Sequence, residues 1–201
     1  MKKFITLFLT FVLLLALPTL AGAEKEKFKS GDFDFKKVKS VAIASVGTRE
    51  YTRATYKADF GMEDKVYTAL EGALAKRHLK VASAAKAVRP NLKIKVIINA
   101  LGTYTEHKAA WDETTTVDKK EVGKDENGND VVVTVPTQET VHHPAEDISH
   151  AVAELEMVAT DVRTGKDVYR ITDSRERSSE TDTSGMLHRI CTDFAKDITR
   201  D

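Results

Sequence analysis

The sequence predicts an α+β fold: a mixed, largely antiparallel β-sheet with an N-terminal β-α-β unit and a C-terminal helix packed on one face. Three observations carry that expectation. Apolar residues recur at helical spacing over 62–77 and 185–199, and at a spacing of two over most of the strands from residue 92 to 177. The order is β-α-β, then a run of strands, then a helix, which segregates the helices from a meander. Gly and Pro are scarce, at 10 and 4 residues among 201, and β-branched residues are frequent, which excludes collagen-like and strongly disordered chains.

The elements follow in order. Residues 24–31 form a charged lead-in without periodicity and are expected to be mobile. Phe33 and Phe35 alternate with Asp32 and Asp34, as in a short strand or pinned extended segment. Val38 to Val46 is a mostly apolar, β-branched run that reads as a central strand. From Met62 to Arg77 the period changes: Val66, Leu70 and Leu74 make one stripe, with Glu63 and Asp64 in the first turn and Lys76 and Arg77 in the last, as the helix dipole favours. Leu79 to Val81 reads as a short strand. Leu92, Ile94, Val96, Ile98 and Ala100 alternate with Lys93, Lys95 and Asn99 in a half-buried one. Residues 114–141 read as a β-hairpin turning through Asn127-Gly128, and Pro136 marks an edge strand.

Two longer strands come next. In 148–160, Ala151, Ala153, Leu155, Met157 and Ala159 point one way while His150, Glu154 and Glu156 point the other. Asp161 to Lys166 turns the chain into Val168 to Arg177. Thr183 or Ser184 is placed to cap the last helix, 185–199. In it, Cys191 lies on the stripe of Leu187, Ile190, Phe194 and Ile198. A single cysteine forms no internal disulfide, and this one reads as a core thiol. One domain is expected over 32–201.

The N-terminus reads as an address. Lys2 and Lys3 precede an apolar run from Phe4 to Leu17, Pro18 breaks it, and Ala21-Gly22-Ala23 follows. That is the pattern of a secretory signal peptide over 1–23 with cleavage between Ala23 and Glu24. The apolar segment is shorter than the ~20 residues a membrane-spanning helix needs. Residues 1–23 hold 16 apolar residues, so the remainder is more polar than the overall 41% hydrophobic composition suggests. The expected location is periplasmic or secreted, in a bacterium, with no membrane span in the mature chain. Charge is balanced, 31 Lys+Arg against 31 Asp+Glu, which gives no whole-protein field for nucleic acid or an anionic membrane.

Three segments resemble small bacterial periplasmic envelope proteins and lipoproteins related to the curli-secretion lipoprotein and the TolB N-terminal domain. Phe33 to Ala42 looks like their opening strand. Ala75 to Val81 is similar to their junction from last helix turn to short strand, and Asp161-Val-Arg-Thr-Gly-Lys-Asp-Val168 to their D-x-x-T-G-x-x-V hairpin. The resemblance implies an envelope protein with a mixed sheet, often part of an assembly, and carries over no catalytic residue. The departure is Ala23, which stands where those lipoproteins carry the lipidated cysteine, so no lipid anchor is expected.

Candidate chemistry is sparse. Arg49, Tyr51, Arg53, Tyr56 and Lys57 follow the carboxyl end of the first central strand, where open α/β sheets bind ligands, and Arg with Tyr suits an anionic ligand or a partner surface. The alternative is a loop whose tyrosines cover the sheet. His142, His143 and His150 are metal-ligand types without ligand spacing, and Glu154 and Glu156 share a strand face within reach of two-carboxylate chemistry. Asp125 to Asp130 faintly follows a calcium loop, but Gly128 sits at the wrong position and a hairpin turn accounts for it. No nucleophile elbow, phosphate-binding loop or dinucleotide fingerprint is present. The expected function is a non-catalytic binding or assembly accessory acting on another envelope protein, with no cofactor and no nucleic acid. The alternatives are a small-ligand carrier at Arg49–Lys57 and a metal-dependent enzyme in the His142–Glu156 region.

Overall fold

The computed structural model of the chain describes residues 25–82 and 89–199, so the expected signal peptide and the Ala23–Glu24 junction lie outside the described residues. Two compact units emerge where one domain over 32–201 is expected: residues up to Tyr104 together with those from His150 onward, and Thr105–Ser149. The second unit exists because the hairpin is longer than its apolar pattern suggests and pairs within itself.

The first unit is built on a seven-stranded sheet. Its strands are β1 (Lys25–Lys29), β2 (Ser40–Thr48), β3 (Lys57–Ala58), β4 (Lys80–Ala82), β5 (Leu92–Lys108), β8 (Glu146–Asp161) and β9 (Asp167–Ser178), ordered β1-β9-β8-β5-β2-β4 with β3 paired to β5. Strand β2 is parallel to both β4 and β5, whereas β1 with β9, β8 with β9, and β3 with β5 are antiparallel. Helix α1 (Met62–Lys76) joins β2 to β4 as the expected β-α-β unit, and α2 (Ser184–Asp197) follows β9. This is the mixed α+β architecture that the sequence predicts. Among the described residues no helix is long and apolar enough to cross a membrane.

The core lies on the helix side of the sheet. Val66, Leu70, Ala73 and Leu74 of α1 and Met186, Leu187, Ile190, Cys191, Phe194 and Ala195 of α2 form one cluster with Leu92, Ile94, Val96 and Ile98 of β5. Ala151, Ala153, Leu155, Met157 and Ala159 of β8, with Tyr169 and Ile171 of β9, complete it. The alternation read in 148–160 is therefore the core face of β8. Helix α1 ends through His78 at φ +60°, a left-handed stop, after which Leu79 turns back into the core.

Three local expectations are corrected. Residues 25–29 are a strand rather than a mobile lead-in, because alternate lysines fasten it. Lys25 reaches Asp173 at 3.3 Å, Lys27 reaches Asp197 at 2.8 Å, and the Lys29 ammonium donates to the Asp197 carbonyl. Phe33 to Phe35 is not a strand: the Asp34 carboxylate accepts from the Lys36 N–H and starts a 3-10 turn over Phe35–Lys37, with Phe35 buried edge-on to Phe33. Neither Thr183 nor Ser184 caps α2 through its side chain. The Thr183 hydroxyl donates to Asp59, and Asp182 accepts from both the amide and the hydroxyl of Ser184. On β9, Arg170 lies opposite Val158 and pairs with Asp167, while Thr172 faces Glu156.

The Asp161–Lys166 turn has a plain physical basis. The Asp161 carboxylate accepts from the Thr164 hydroxyl and the Arg163 N–H, which holds its pKa below the usual range, and Gly165 takes φ +70°. The D-x-x-T-G spelling is thus a turn device.

The second unit contains β6 (Trp111–Lys124) and β7 (Asp130–His143), an antiparallel ribbon registered from Trp111 opposite His143 to Lys124 opposite Asp130. Asp125 closes it, its carboxylate accepting from the N–H groups of Asn127 and Asn129 at 2.8 Å, with Gly128 at φ +83°. Those oxygens are taken up by the backbone, which is the hairpin-turn reading of this segment. The period-two rule sorts the ribbon into two faces. Trp111, Val117, Val131, Val133, Val135 and Val141 share one, while Thr114, Thr116, Thr134 and Thr140 share the other. Trp111 is half exposed, and Val122 and Val132, directly opposite each other near the tip, are 71% and 67% exposed.

Candidate functional site

The loop between β2 and α1 crosses the face of the sheet that carries no helix. It is held close by β3: a Cβ on Gly102 would run into the Lys57 carbonyl, so only glycine lets β3 approach β5 there. Tyr51 and Tyr56 stand edge-on, centroids 4.7 Å apart, against a small cluster of Ala100, Tyr104 and Val152. The Leu101 N–H donates to the Tyr56 hydroxyl at 2.9 Å.

Both arginines point at carboxylates of the sheet. Arg49 Nη2 lies 3.4 Å from Glu156, and Arg53 Nη1 lies 3.4 Å from Glu176. The Arg53 guanidinium also sits 3.5 Å from the centre of the Tyr104 ring, whose other neighbour is the His150 imidazole, stacked at 4.7 Å and 3°. Glu176 joins all three: Tyr104 donates its hydroxyl to Oε1 at 2.5 Å, His150 Nδ1 is 3.0 Å from the same oxygen, and Arg53 approaches Oε2. Burial, then the Glu176 hydrogen bond and charge, push Tyr104 ionisation well above the ordinary tyrosine value. Burial likewise raises Tyr56. This is a ladder of cation, phenol ring and imidazole over one carboxylate.

The structure thus brings Arg49, Tyr51, Arg53 and Tyr56 together over the sheet, with the tyrosines covering apolar surface and the arginines ion-paired. Lys57 is apart, exposed on β3. Glu154 and Glu156 do share a face with His150, but each carboxylate has its own partners. Glu154 accepts from Asn99 Nδ2 at 2.9 Å and from the Ser174 hydroxyl at 3.4 Å. The partners that sequence reading did not single out are Tyr104, Asn99 and Glu176. Glu176 had one visible signal, the alternation Arg175-Glu176-Arg177 that puts it on the opposite face from its neighbours.

The histidines hold separate partners. His142 Nδ1 is 2.6 Å from Asp112, while His143 stacks on Trp111 at 4.1 Å and sits 3.2 Å from Glu113. These are the two faces of β7. His150 belongs to the other unit. Among the described residues, no three His, Cys, Asp or Glu side chains converge as metal ligands would.

Two predictions arise here. Glu176→Ala removes the acceptor for a nearly buried phenol and a nearly buried imidazole, at 3% and 5% exposure, and should cost about 2–3 kcal/mol. A thermal melt checks it, with a fall of roughly 4–12 °C expected for a chain of this size. Cys191 is fully buried, and burial pushes its thiol up to about 12. Iodoacetamide at mildly alkaline pH should leave it unmodified in the native protein and label it once the chain is unfolded, as mass spectrometry would read.

The fold and the open-face network define an α+β domain in which helices cover one side of the sheet and a braced loop covers part of the other. No protein-family model and no curated protein sequence matches the chain. Among solved structures, the chain is similar to a PelC dodecamer from Paraburkholderia phytofirmans, at 9% identity over 90% of this chain and 99% of that one, with a TM-score of 0.50. A variant PelC dodecamer from the same organism gives 8% identity, 89% and 98% coverage, and 0.47. A minor lipoprotein from Acinetobacter baumannii gives 15%, 81% and 90%, and 0.28. At such identities the likeness is one of fold alone, and only the match at 0.50 bears on it.

Proposed function

We propose that this chain is an exported, non-catalytic accessory of the bacterial cell envelope that acts by binding another envelope protein. The observation that supports it best is the contrast between its two units. In the sheet unit, the arginines and glutamates of the candidate site are engaged with one another and the tyrosines cover apolar surface. In the ribbon unit, Trp111, Val122, Val132, Val133 and Val141 remain exposed on a two-stranded sheet, a structure that is marginal in water without cover. A ribbon of that kind is suited to a partner.

Export rests on the signal pattern of residues 1–23, and release as an untethered protein rests on Ala23 in place of a lipidated cysteine. The fold neighbour was solved as a dodecamer, which fits a module that works inside an assembly. In this reading the Arg49–Lys57 loop is a brace for the sheet, and the mature protein is periplasmic or secreted. In-cell cross-linking of the full-length protein, recovered through a C-terminal tag, tests it. A discrete adduct with one envelope protein is expected. A chain that stays uncross-linked while binding a small molecule through Arg49 and Arg53 would replace this reading with that of a ligand carrier.

A further inference from the structure

Strand β1 is fastened to the sheet by charge rather than by apolar burial. None of its five residues is buried, and its one apolar side chain, Phe28, is 52% exposed. Three lysines at alternate positions add to its backbone ladder with β9. Lys25 reaches Asp173 at 3.3 Å and Asp193 at 3.6 Å, and Lys27 reaches Asp197 at 2.8 Å. Lys29 donates to the Asp197 carbonyl at 2.9 Å and lies 4.4 Å from the centre of the Phe35 ring. The surface they meet sets three carboxylates against the Arg175 guanidinium, while β1 sets three lysines against Glu26. The match is a spacing: a cation at every second residue of an extended segment.

The chain is anchored again at Phe33 and Phe35. Phe35 is 5% exposed and stands edge-on to both Phe33 and Tyr169. Between β1 and that anchor lie Ser30, Gly31 and Asp32, and Gly31 is exposed with nothing within 4 Å of where a Cβ would stand. A β1 that lifts off can therefore turn about Gly31 while Phe33 and Phe35 stay in place. With Lys25 and Lys27 33% and 40% exposed, their ion pairs are weak one by one and screened by salt. Opening of β1 thus costs far less than unfolding the core. It uncovers the β9 edge opposite β1, from Tyr169 to Asp173, a row of backbone donors and acceptors.

We propose that β1 is an exchangeable strand: it lifts from β9 without unfolding the core, and the vacated β9 edge takes the β1 of a second copy. The charges specify that occupant, since its Lys25, Lys27 and Lys29 carry the spacing that Asp173, Asp193 and Asp197 accept. Exchange is reciprocal, each copy giving one strand and receiving one, so it closes at a two-fold dimer. The residues from Lys25 to Gly31 span about 24 Å when extended, enough to reach the facing edge of an adjacent copy. The contacts formed are those given up, so each copy's own β1 competes at an effective concentration on the order of millimolar. The exchanged pair is accordingly a minor species in dilute solution and accumulates where copies are crowded or covalently trapped. The proposal goes beyond partner binding by the ribbon and does not rest on it.

Hydrogen–deuterium exchange of the purified protein tests the opening. The β1 amides should exchange about tenfold faster at ~500 mM salt than at ~20 mM, because the Debye length shortens from about 20 Å to below about 5 Å. Amides of residues 152–159 on β8 should stay protected at both. Lys27→Gln with Lys29→Gln should give the same acceleration at low salt with the melting temperature nearly unchanged. Cysteine trapping tests the exchange. Phe28 and Arg170 lie opposite each other in register and are both exposed, while buried Cys191 takes no part. A Phe28→Cys variant mixed at ~0.5 mM with a differently tagged Arg170→Cys variant should oxidise to a disulfide-linked heterodimer. Phe28→Cys mixed with Glu63→Cys, exposed on α1, should give only a background. Circular dichroism melts confirm that each variant is folded. Wild-type β1 amides as protected as those of β8 and indifferent to salt would overturn the proposal. So would folded cysteine variants whose heterodimer is no more abundant than the α1 control. Either failure, together with a discrete envelope adduct in cells, would leave the partner-binding reading standing.

Discussion

Replacing Asp173 with Ala should lower the melting temperature by roughly 6–20 °C, the counterpart of about 3–5 kcal/mol in a chain of this length. Asp173 lies on β9 with no solvent exposure. Arg175 reaches it through Nε at 2.8 Å and Nη2 at 2.9 Å, and Lys25 of β1 approaches at 3.3 Å. Arg175 also reaches Asp193 of α2 at 2.8 Å, so the carboxylate holds together the first strand, the ninth and the last helix. Its removal leaves a largely buried guanidinium with one partner and takes away one of the three lysine contacts that hold β1.

The same cluster sets the acid limit of the fold. Burial pushes the Asp173 pKa up, but the Arg175 hydrogen bonds and charge, then Lys25, outweigh burial and hold it below the usual carboxylate range. Asp197 is lowered in the same way, burial being outweighed by hydrogen bonds from Lys27 and Tyr169. A depressed native pKa contributes stability that is present above the unfolded value, near 3.9, and is lost as pH falls through the native one. Melting temperature should therefore drop steeply below about pH 4, and the drop should be shallower in Asp173→Asn, which has no proton to gain there.

Phe194→Ala should cost a comparable amount, about 3–5 kcal/mol, through the cavity it leaves. Phe194 is fully buried on α2 and meets the Tyr169 ring edge-on, centroids 5.5 Å apart. Tyr169 in turn donates its hydroxyl to Asp197 at 2.7 Å, so the aromatic pair couples the sheet to the end of the helix. Urea unfolding checks it: a lower midpoint at unchanged slope is expected, and Phe194→Leu should recover most of the loss.

How much of this was legible in the sequence depended on how local its cause is. The stripes of α1 and α2 and the alternation of β8 are set by backbone periodicity, so Val66, Leu155 and Phe194 could be placed without a structure. Strand β1 could not, because its order comes from lysines that reach Asp173 and Asp197, almost the whole chain away. The Arg49–Tyr56 cluster was visible as a cluster. What it faces was not, since only the pairing of β8 with β9 brings Glu176 level with Val152 and so to the Tyr104 ring. His142 and His143 are consecutive on β7, so the same rule puts them on opposite faces, and their separate partners, Asp112 and Glu113, follow from it. The acidic character of residues 105–149, four Lys against eleven Asp or Glu, was hidden for a different reason: a balanced total reads as no field until the ends of the hairpin unit are known.

In the proposed function the ribbon, and not the Arg49–Lys57 loop, is the contact surface. A photo-reactive amino acid placed at Val122 in the full-length protein, expressed in a bacterial host, tests it most directly. A discrete adduct from Val122, absent when the same group replaces exposed Glu63 on α1, is the predicted result. No adduct from Val122, with a strong one from Arg49 or Arg53, would contradict the claim and return the function to the loop.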